Sequence, residues 1–428
     1  MTLDLAGVGI GPANLSLAAL AHPVAGLRVA MFERRKEFRW HPGLLIEGAT
    51  IQVPFLADLV TLADPTSPLS FLNYLRAHDR LFPFYFVEKF HMARTEYDDY
   101  CRWAGDRLDS CHFGVEITGI DWHESAFHLS TAEGEPVVAR NVVLGVGTSP
   151  FVPEPLRALV SDPEAPVLHS ADYLTERERL LAAPSVTVVG SGQSGAEVFL
   201  DLLRHRHRPD GLRWIARTVS FAPMEYSKLG LEQFTPDYTD FFHRLDESTR
   251  DGLLPSQWQL YKGIDSDTIA EIHEELYRRS IGGTWPEVVM TPGVEVVSAS
   301  LDAGRVALGL RHRQQNSGAG WLADAVVCAT GYTETPLDRL LGPLAGRLVT
   351  DERGRPVVER DHRLRLEGVA GSVYVQNAER HTHGVGAPDL GLAAWRAATI
   401  LNSVCGREVY RLPSRTAFTR FGLNTEDE

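Results

Sequence analysis

The chain has 428 residues, 44% hydrophobic and 23% charged, the composition of an ordinary soluble globular protein with room for two or three domains. A formal net charge of −14 with no compensating basic cluster excludes a nucleic-acid partner and weakly favours cationic small molecules. Four scattered cysteines, Cys101, Cys111, Cys328 and Cys405, have neither metal nor redox spacing, which excludes a dithiol reductase and fits a reducing compartment.

The run Leu3–Ala6 is predicted as a strand that opens onto Gly7-Val8-Gly9-Ile10-Gly11-Pro12-Ala13-Asn14. Glycines let the backbone approach a pyrophosphate, and the helix that follows offers its positive N-terminus. The next strand-like run, Leu27–Phe32, ends at Glu33, an acid placed to accept from a ribose 2′-hydroxyl. This loop reads as an FAD site, with Pro12 in the place of the third glycine. It also interrupts the N-terminus too early for a charged leader with an apolar core. No run of about 18 apolar residues follows, so no membrane span is expected, and the location expected is the cytoplasm.

Residues 36–110 read as loops and helices with aromatic clusters such as Phe82-Pro83-Phe84-Tyr85-Phe86. Short strands over 113–150 end in Asn141–Leu144 and a glycine turn. A second module follows: the β-branched run Val186–Val189, then Gly190-Ser191-Gly192-Gln193-Ser194-Gly195, then Leu212–Ala216 and Arg217. An arginine where the first module has an acid suits a 2′-phosphate, so this loop reads as an NADPH site. Thr268–Arg278 carries apolar residues at helical spacing, and strands resume at Val294–Leu310. Asp324–Tyr332 repeats the strand-then-glycine pattern. Val373–Ala378 is predicted as a strand, Leu390–Asn402 as a helix, and the tail Asn424–Glu428 as frayed. The fold expected is α/β, with two Rossmann-like dinucleotide-binding domains and a small helical substrate subdomain. FAD-binding parts are assigned to 1–165 and 323–428, NADPH-binding parts to 166–225 and 286–322, and the helical subdomain to 226–285.

Longer words now become informative: Gly9-Ile10-Gly11-Pro12-Ala13-Asn14-Leu15, Trp40-His41-Pro42-Gly43, Asp64-Pro65-Thr66-Ser67-Pro68 with Phe71-Leu72-Asn73-Tyr74-Leu75, Gly190–Glu197 and Ala329-Thr330-Gly331-Tyr332. In these, and in their order, the chain resembles the N-hydroxylating flavoprotein monooxygenases of siderophore biosynthesis over nearly its whole length. The resemblance implies FAD and NADPH as cofactors, and O2 and a primary amine as substrates. It also implies a C4a-hydroperoxyflavin as oxidant and a homo-oligomer, tetramer or dimer. Trp40, His41 and Gln52 match positions around the flavin, with Gln52 nearest the isoalloxazine and His41 beside it as the catalytic candidates. Thr330, Gly331, Tyr332 and Leu390 are placed with the cofactors. His381 and His383 have no third ligand at metal-binding spacing, so no metal is expected; they fall instead at the flavin face of the C-terminal segment.

Two departures bear on the substrate. Relatives acting on lysine or ornithine carry a lysine five residues after the flavin glutamine, paired with the substrate carboxylate; here that position is Ala57. Asp389 and Gly391 stand where such relatives show a neutral residue and then a serine. Loss of a cation and gain of an anion suit a substrate without a carboxylate, so Ala57 and Asp389 are the substrate-binding candidates and a short diamine is expected, putrescine before cadaverine. The alternatives are a lysine or ornithine N-hydroxylase, a Baeyer–Villiger or sulfur-oxidising monooxygenase, and a non-catalytic NADPH-binding regulator.

Overall fold

The structure, a computed structural model, describes residues 2–206 and 210–423; the tail expected to fray lies outside them. Two five-stranded parallel sheets organise the chain. In the first, the order is Ser372–Val375, Asn141–Leu144, Leu5–Val8, Val29–Glu33 and Cys111–Phe113. In the second it is Val289–Pro292, Leu212–Ala216, Val186–Val189, Ala325–Cys328 and Val167–His169. The central strands Leu5–Val8 and Val186–Val189 are buried throughout, as continuous apolar runs in a sheet covered on both faces must be. Each of these strands has two neighbours that both follow it in the chain but lie on its opposite sides in the sheet. That reversal opens a crevice beyond its carboxyl end, where this class of sheet binds ligands. The glycine loops sit at those two crevices.

Two segments linking the sheets travel together. Thr148–Pro150 and Tyr332–Glu334 form an antiparallel ribbon, Tyr332 opposite Pro150. A second tie is ionic. Arg94, at the start of helix Arg94–Gly105 beside the first sheet, meets Glu197 on helix Gln193–His205 of the second through two 2.7 Å bonds. Both residues are buried, so the pair is mutually dependent: either charge alone would be stranded away from water.

The strands expected over Val294–Leu310 exist, but they do not extend the parallel sheet. Val294–Asp302, Arg305–His312 and Ser317–Ala323 form a separate antiparallel sheet. Tight turns explain this, since connections of two residues (303–304) and four (313–316) cannot make the crossover a parallel pair needs. The helical stretch comprises Pro236–Arg244, Glu247–Ser256, Ser266–Ser280 and shorter turns, and Tyr238, Phe242 and Leu260 form a core with Val385 of the C-terminal segment. The last helix begins later than expected. Leu390–Leu392 is a 3-10 turn before helix Ala393–Cys405, because the Asp389 side chain accepts from the Gly391 N–H and sets the start.

Candidate active site

The three glycines of the first loop do different work. A Cβ at Gly7 would lie 1.9 Å from Met31 Sδ, and one at Gly9, where φ is +85°, would lie 2.5 Å from the Gly145 carbonyl oxygen. These two are required by the packing of the protein itself. At Gly11 a Cβ would meet nothing within 4 Å. Gly11 caps helix Pro12–Ala21 in extended conformation, with no side chain satisfying the first-turn amides and with Pro12 at the helix start. An open face over unsatisfied amides fits a pyrophosphate. Glu33 accepts from the Ile10 N–H (3.0 Å) and the Arg35 N–H (3.0 Å), leaving further lone pairs on both oxygens for a ribose. Asn14 is spent internally: its amide donates to the Val8 and Gly9 carbonyls and accepts from Gln376. It shapes the loop from behind.

The second loop repeats the design. Gly195 packs so closely that a Cβ would lie 2.5 Å from the Gly190 carbonyl oxygen, and Gly190 abuts Ala329 with φ at +131°. Gly192 caps helix Gln193–His205 with no side-chain partner, and Ser194 sits in the open first turn. Gln193 is occupied by protein, donating to Glu197 (2.8 Å) and Thr268 (3.0 Å) and accepting from the Asp265 N–H (2.7 Å). Arg217 is exposed just past strand Leu212–Ala216, with no acid within ion-pair distance among the described residues. Two further cations that sequence reasoning missed lie near it. Desolvation lowers the pKa of Lys262, and Arg380 and Arg217 lower it further. Arg380 also stacks over Tyr261 at 5.2 Å. Three mutually repelling cations beside an uncapped helix N-terminus fit a phosphate-bearing ligand. No local spacing could have revealed them, since they come from three distant segments.

Between the loops lies an aromatic cluster. Trp40 packs edge-on against Tyr97 at 4.9 Å and against His41 at 5.2 Å, and His41 meets Tyr332 at 5.5 Å. The Trp40 backbone N–H donates to the Asp98 carboxylate (2.7 Å). His41 holds a left-handed backbone, φ +48°, an uncommon state for a non-glycine residue that fixes where its ring points. His41 as a residue is exposed, yet the groups around its ring strip much of its hydration. Desolvation, then Arg94 and Arg35, push its pKa down to about 4, so it stays neutral near pH 7. Tyr332 has its pKa pushed up to about 12, chiefly by burial. Thr330 donates to the Phe151 carbonyl, and the Gly331 carbonyl accepts from Phe151 N–H at 2.9 Å. Thr330–Tyr332 is therefore held against the paired linker.

Gln52 is half-buried; its side-chain amide makes one long contact, 3.4 Å to the Thr50 carbonyl, and its backbone carbonyl accepts from the Tyr226 hydroxyl at 3.5 Å. Tyr226 in turn feels Asp265 and Asp389, which with burial raise its pKa. Tyr226 thus touches Gln52 and lies within the electrostatic reach of Asp389. Desolvation raises the Asp389 carboxyl to about 6 against the pull of the Gly391 N–H and Arg396. Ala57 is buried on the same loop as Gln52, its N–H bonded to Pro54. That loop is anchored by Asp58, which accepts from the Val60, Thr61 and Phe71 amides. Leu390 packs on the core of the first sheet. His381 faces the Pro356 carbonyl and His383 stacks on His362 at 4.3 Å.

The chain matches the family described as L-lysine 6-monooxygenase/L-ornithine 5-monooxygenase over residues 1–334. It is 45% identical to the rhizobactin siderophore biosynthesis protein RhbE of Rhizobium meliloti, across 98% of this chain and 95% of that protein. It is 38% identical to the putrescine N-hydroxylase of Shewanella oneidensis, across 98% and 84%. Among solved structures it superposes with a TM-score of 0.92, at 36% identity and full coverage of both chains, on DfoA bound to FAD, the cadaverine monooxygenase of desferrioxamine biosynthesis from Erwinia amylovora. The fold is that of two Rossmann-like domains, and the cofactors are FAD and NADPH. With both phosphate cradles in place, the chain belongs to the L-lysine 6-monooxygenase/L-ornithine 5-monooxygenase family, as a flavin-dependent N-hydroxylating monooxygenase.

Proposed function

We propose that the enzyme N-hydroxylates one primary amine of a short aliphatic diamine, putrescine ahead of cadaverine, for hydroxamate siderophore assembly in the cytoplasm. The observation that carries this is the charge at two positions: alanine at 57, and an acid, Asp389, whose charge is felt by Tyr226, the residue whose hydroxyl donates to the Gln52 backbone carbonyl. Bound and reduced flavin supplies, with O2, an electrophilic oxygen to a neutral amine.

The protein's part is binding and orientation. Gly11 and the start of helix Pro12–Ala21 hold the FAD pyrophosphate, and Glu33 its ribose. Gly192, Ser194 and Arg217, with Lys262 and Arg380, hold NADPH. Trp40, neutral His41, Gln52 and Tyr332 line the space between the two and keep it poor in water. Asp389 takes the distal ammonium, which fixes the other amine toward the flavin. A carboxylate at the same place would be desolvated without a cation and repelled by Asp389.

Two relatives are named for the two diamines, putrescine and cadaverine, which supports the same reading. The test is to follow NADPH consumption and hydroxylamine formation by the yellow holoenzyme with putrescine, cadaverine, ornithine and lysine in turn. A coupled product from the diamines is expected. NADPH oxidation without product from all four would overturn the proposal.

A further inference from the structure

Arg396 is buried on helix Ala393–Cys405. A guanidinium keeps its charge at any pH a folded protein meets, and a charge taken out of water must be paired. The partners of Arg396 lie on two other segments. Its Nη1 donates to the Ala387 carbonyl and lies 3.3 Å from Glu379 Oε1. Glu379 is itself fully buried and held at both oxygens: Oε2 accepts from the Ala378 N–H at 2.7 Å, and Oε1 stands 3.3 Å from His362 Nδ1. Burial pushes the Glu379 carboxyl up, yet His362 and Arg396 outweigh it and hold the carboxyl below its ordinary value. Burial also lowers the pKa of His362. Near pH 7 that imidazole is neutral, and the charge of Glu379 is balanced by Arg396.

Ala387 stands in the turn that ends at Asp389, and the turn is tightly seated. The Ala387 N–H donates to the Gly384 carbonyl at 3.2 Å and the Asp389 N–H to the Gly386 carbonyl at 3.0 Å. A Cβ at Gly386 would lie 2.6 Å from Leu392. Arg396 fixes the Ala387 carbonyl on one side, and the Asp389 side chain caps the turn Leu390–Leu392 on the other. The direction of the carboxylate is thus set from both sides. We propose that Arg396, oriented by Glu379, is a positioning residue for the substrate: it clamps the turn that presents Asp389 to the distal ammonium, a role that rests on the diamine reading above.

The charge of Arg396 works in the same direction as its geometry. Desolvation disfavours the Asp389 carboxylate, while the Gly391 N–H, Arg396 and the Leu392 N–H favour it. Tyr226, which feels Asp389 from another segment, is kept neutral chiefly by burial and adds no charge. Removing Arg396 therefore leaves Asp389 protonated to a higher pH. A mere loss of packing would not move that titration.

The test uses the full-length holoenzyme with putrescine. Arg396→Gln alone would strand Glu379, so the variant is Arg396→Gln with Glu379→Gln, which leaves neither buried charge without its partner. FAD content and KM for NADPH should match the wild type. KM for putrescine should rise severalfold at neutral pH, and the limb over which it falls with pH should move up from about 6. Arg396→Lys, which keeps the charge, should hold that limb near its wild-type position. In an Asp389→Asn background the double substitution should add no further rise in KM. A double variant with the wild-type KM and limb overturns the positioning role, as does an equal rise in KM with and without the Asp389 carboxylate. A limb displaced as far in Arg396→Lys as in the double variant overturns the part played by charge. Asp389→Asn with a wild-type KM overturns instead the reading of Asp389 as the ammonium partner, and the role of Arg396 falls with it.

Discussion

Replacing Asp389 with asparagine removes one charge while sparing the local fold, because asparagine caps a turn as well as aspartate and can keep the bond to the Gly391 N–H. Raised from 3.8 to about 6, chiefly by desolvation, the ionised carboxylate carries ~3 kcal/mol of unfavourable environment at neutral pH. A hydrogen bond to a charged group is worth ~1.5–3 kcal/mol, which sets the expected loss in kcat/KM for putrescine at about 10- to 150-fold. The pH dependence follows from the same carboxyl. Below about 6 the free enzyme holds it protonated, and an ammonium gains nothing from it. Above about 6 it is ionised and attracts the substrate, so KM for putrescine should fall as pH rises through that region. In Asp389→Asn this limb should vanish. For folding the sign is opposite: a raised carboxyl contributes stability below 3.8 that is lost as pH rises through about 6. Steady-state hydroxylamine formation between pH 5 and 8 reads both effects. An Asp389→Asn enzyme with unchanged KM and an intact pH limb would refute the assignment of Asp389 as the ammonium partner.

Arg217→Ala should raise KM for NADPH far more than for NADH, and an equal rise in both would remove Arg217 as the 2′-phosphate reader. Gly11→Ala should give folded but flavin-poor protein, since its methyl would occupy only the open cradle; Gly9→Ala should also lower stability by collision with Gly145, and absorbance at the flavin band with thermal melting separates the two. Glu197→Gln would leave Arg94 buried without its charge partner, lowering stability by ~3–5 kcal/mol in thermal unfolding; a loss under ~1 kcal/mol would show that water reaches the pair. Ala57→Lys, which puts a cation at a buried position of the loop that carries Gln52, should weaken turnover of putrescine, read as a raised KM.

The phosphate loops were legible because their chemistry is local. Strand, glycine turn and helix start are adjacent in sequence, and the proposed partners stand at the end of the next strand, Glu33, or just past it, Arg217. What could not be read came from chain segments meeting in space. The Arg94–Glu197 tie spans 103 positions, and Lys262 and Arg380 reach the second loop from the helical stretch and the C-terminal segment. Asn14 and Gln193 sit in the motifs, yet their amides are consumed by the protein, a distinction no motif carries. The aromatic run Phe82–Phe86 was visible as composition, but its outward orientation depends on the fold.

The central claim is discrimination by charge at the far end of the substrate, and a competition measures it directly. Purified holoenzyme with NADPH and O2 receives equal concentrations of putrescine and ornithine, and mass spectrometry counts the two N-hydroxylated products at low conversion. Their ratio is the ratio of specificity constants. A site that strands a buried charge can discriminate by about 10⁴, so N-hydroxyputrescine should dominate to that order; an excess of N-hydroxyornithine would contradict the account.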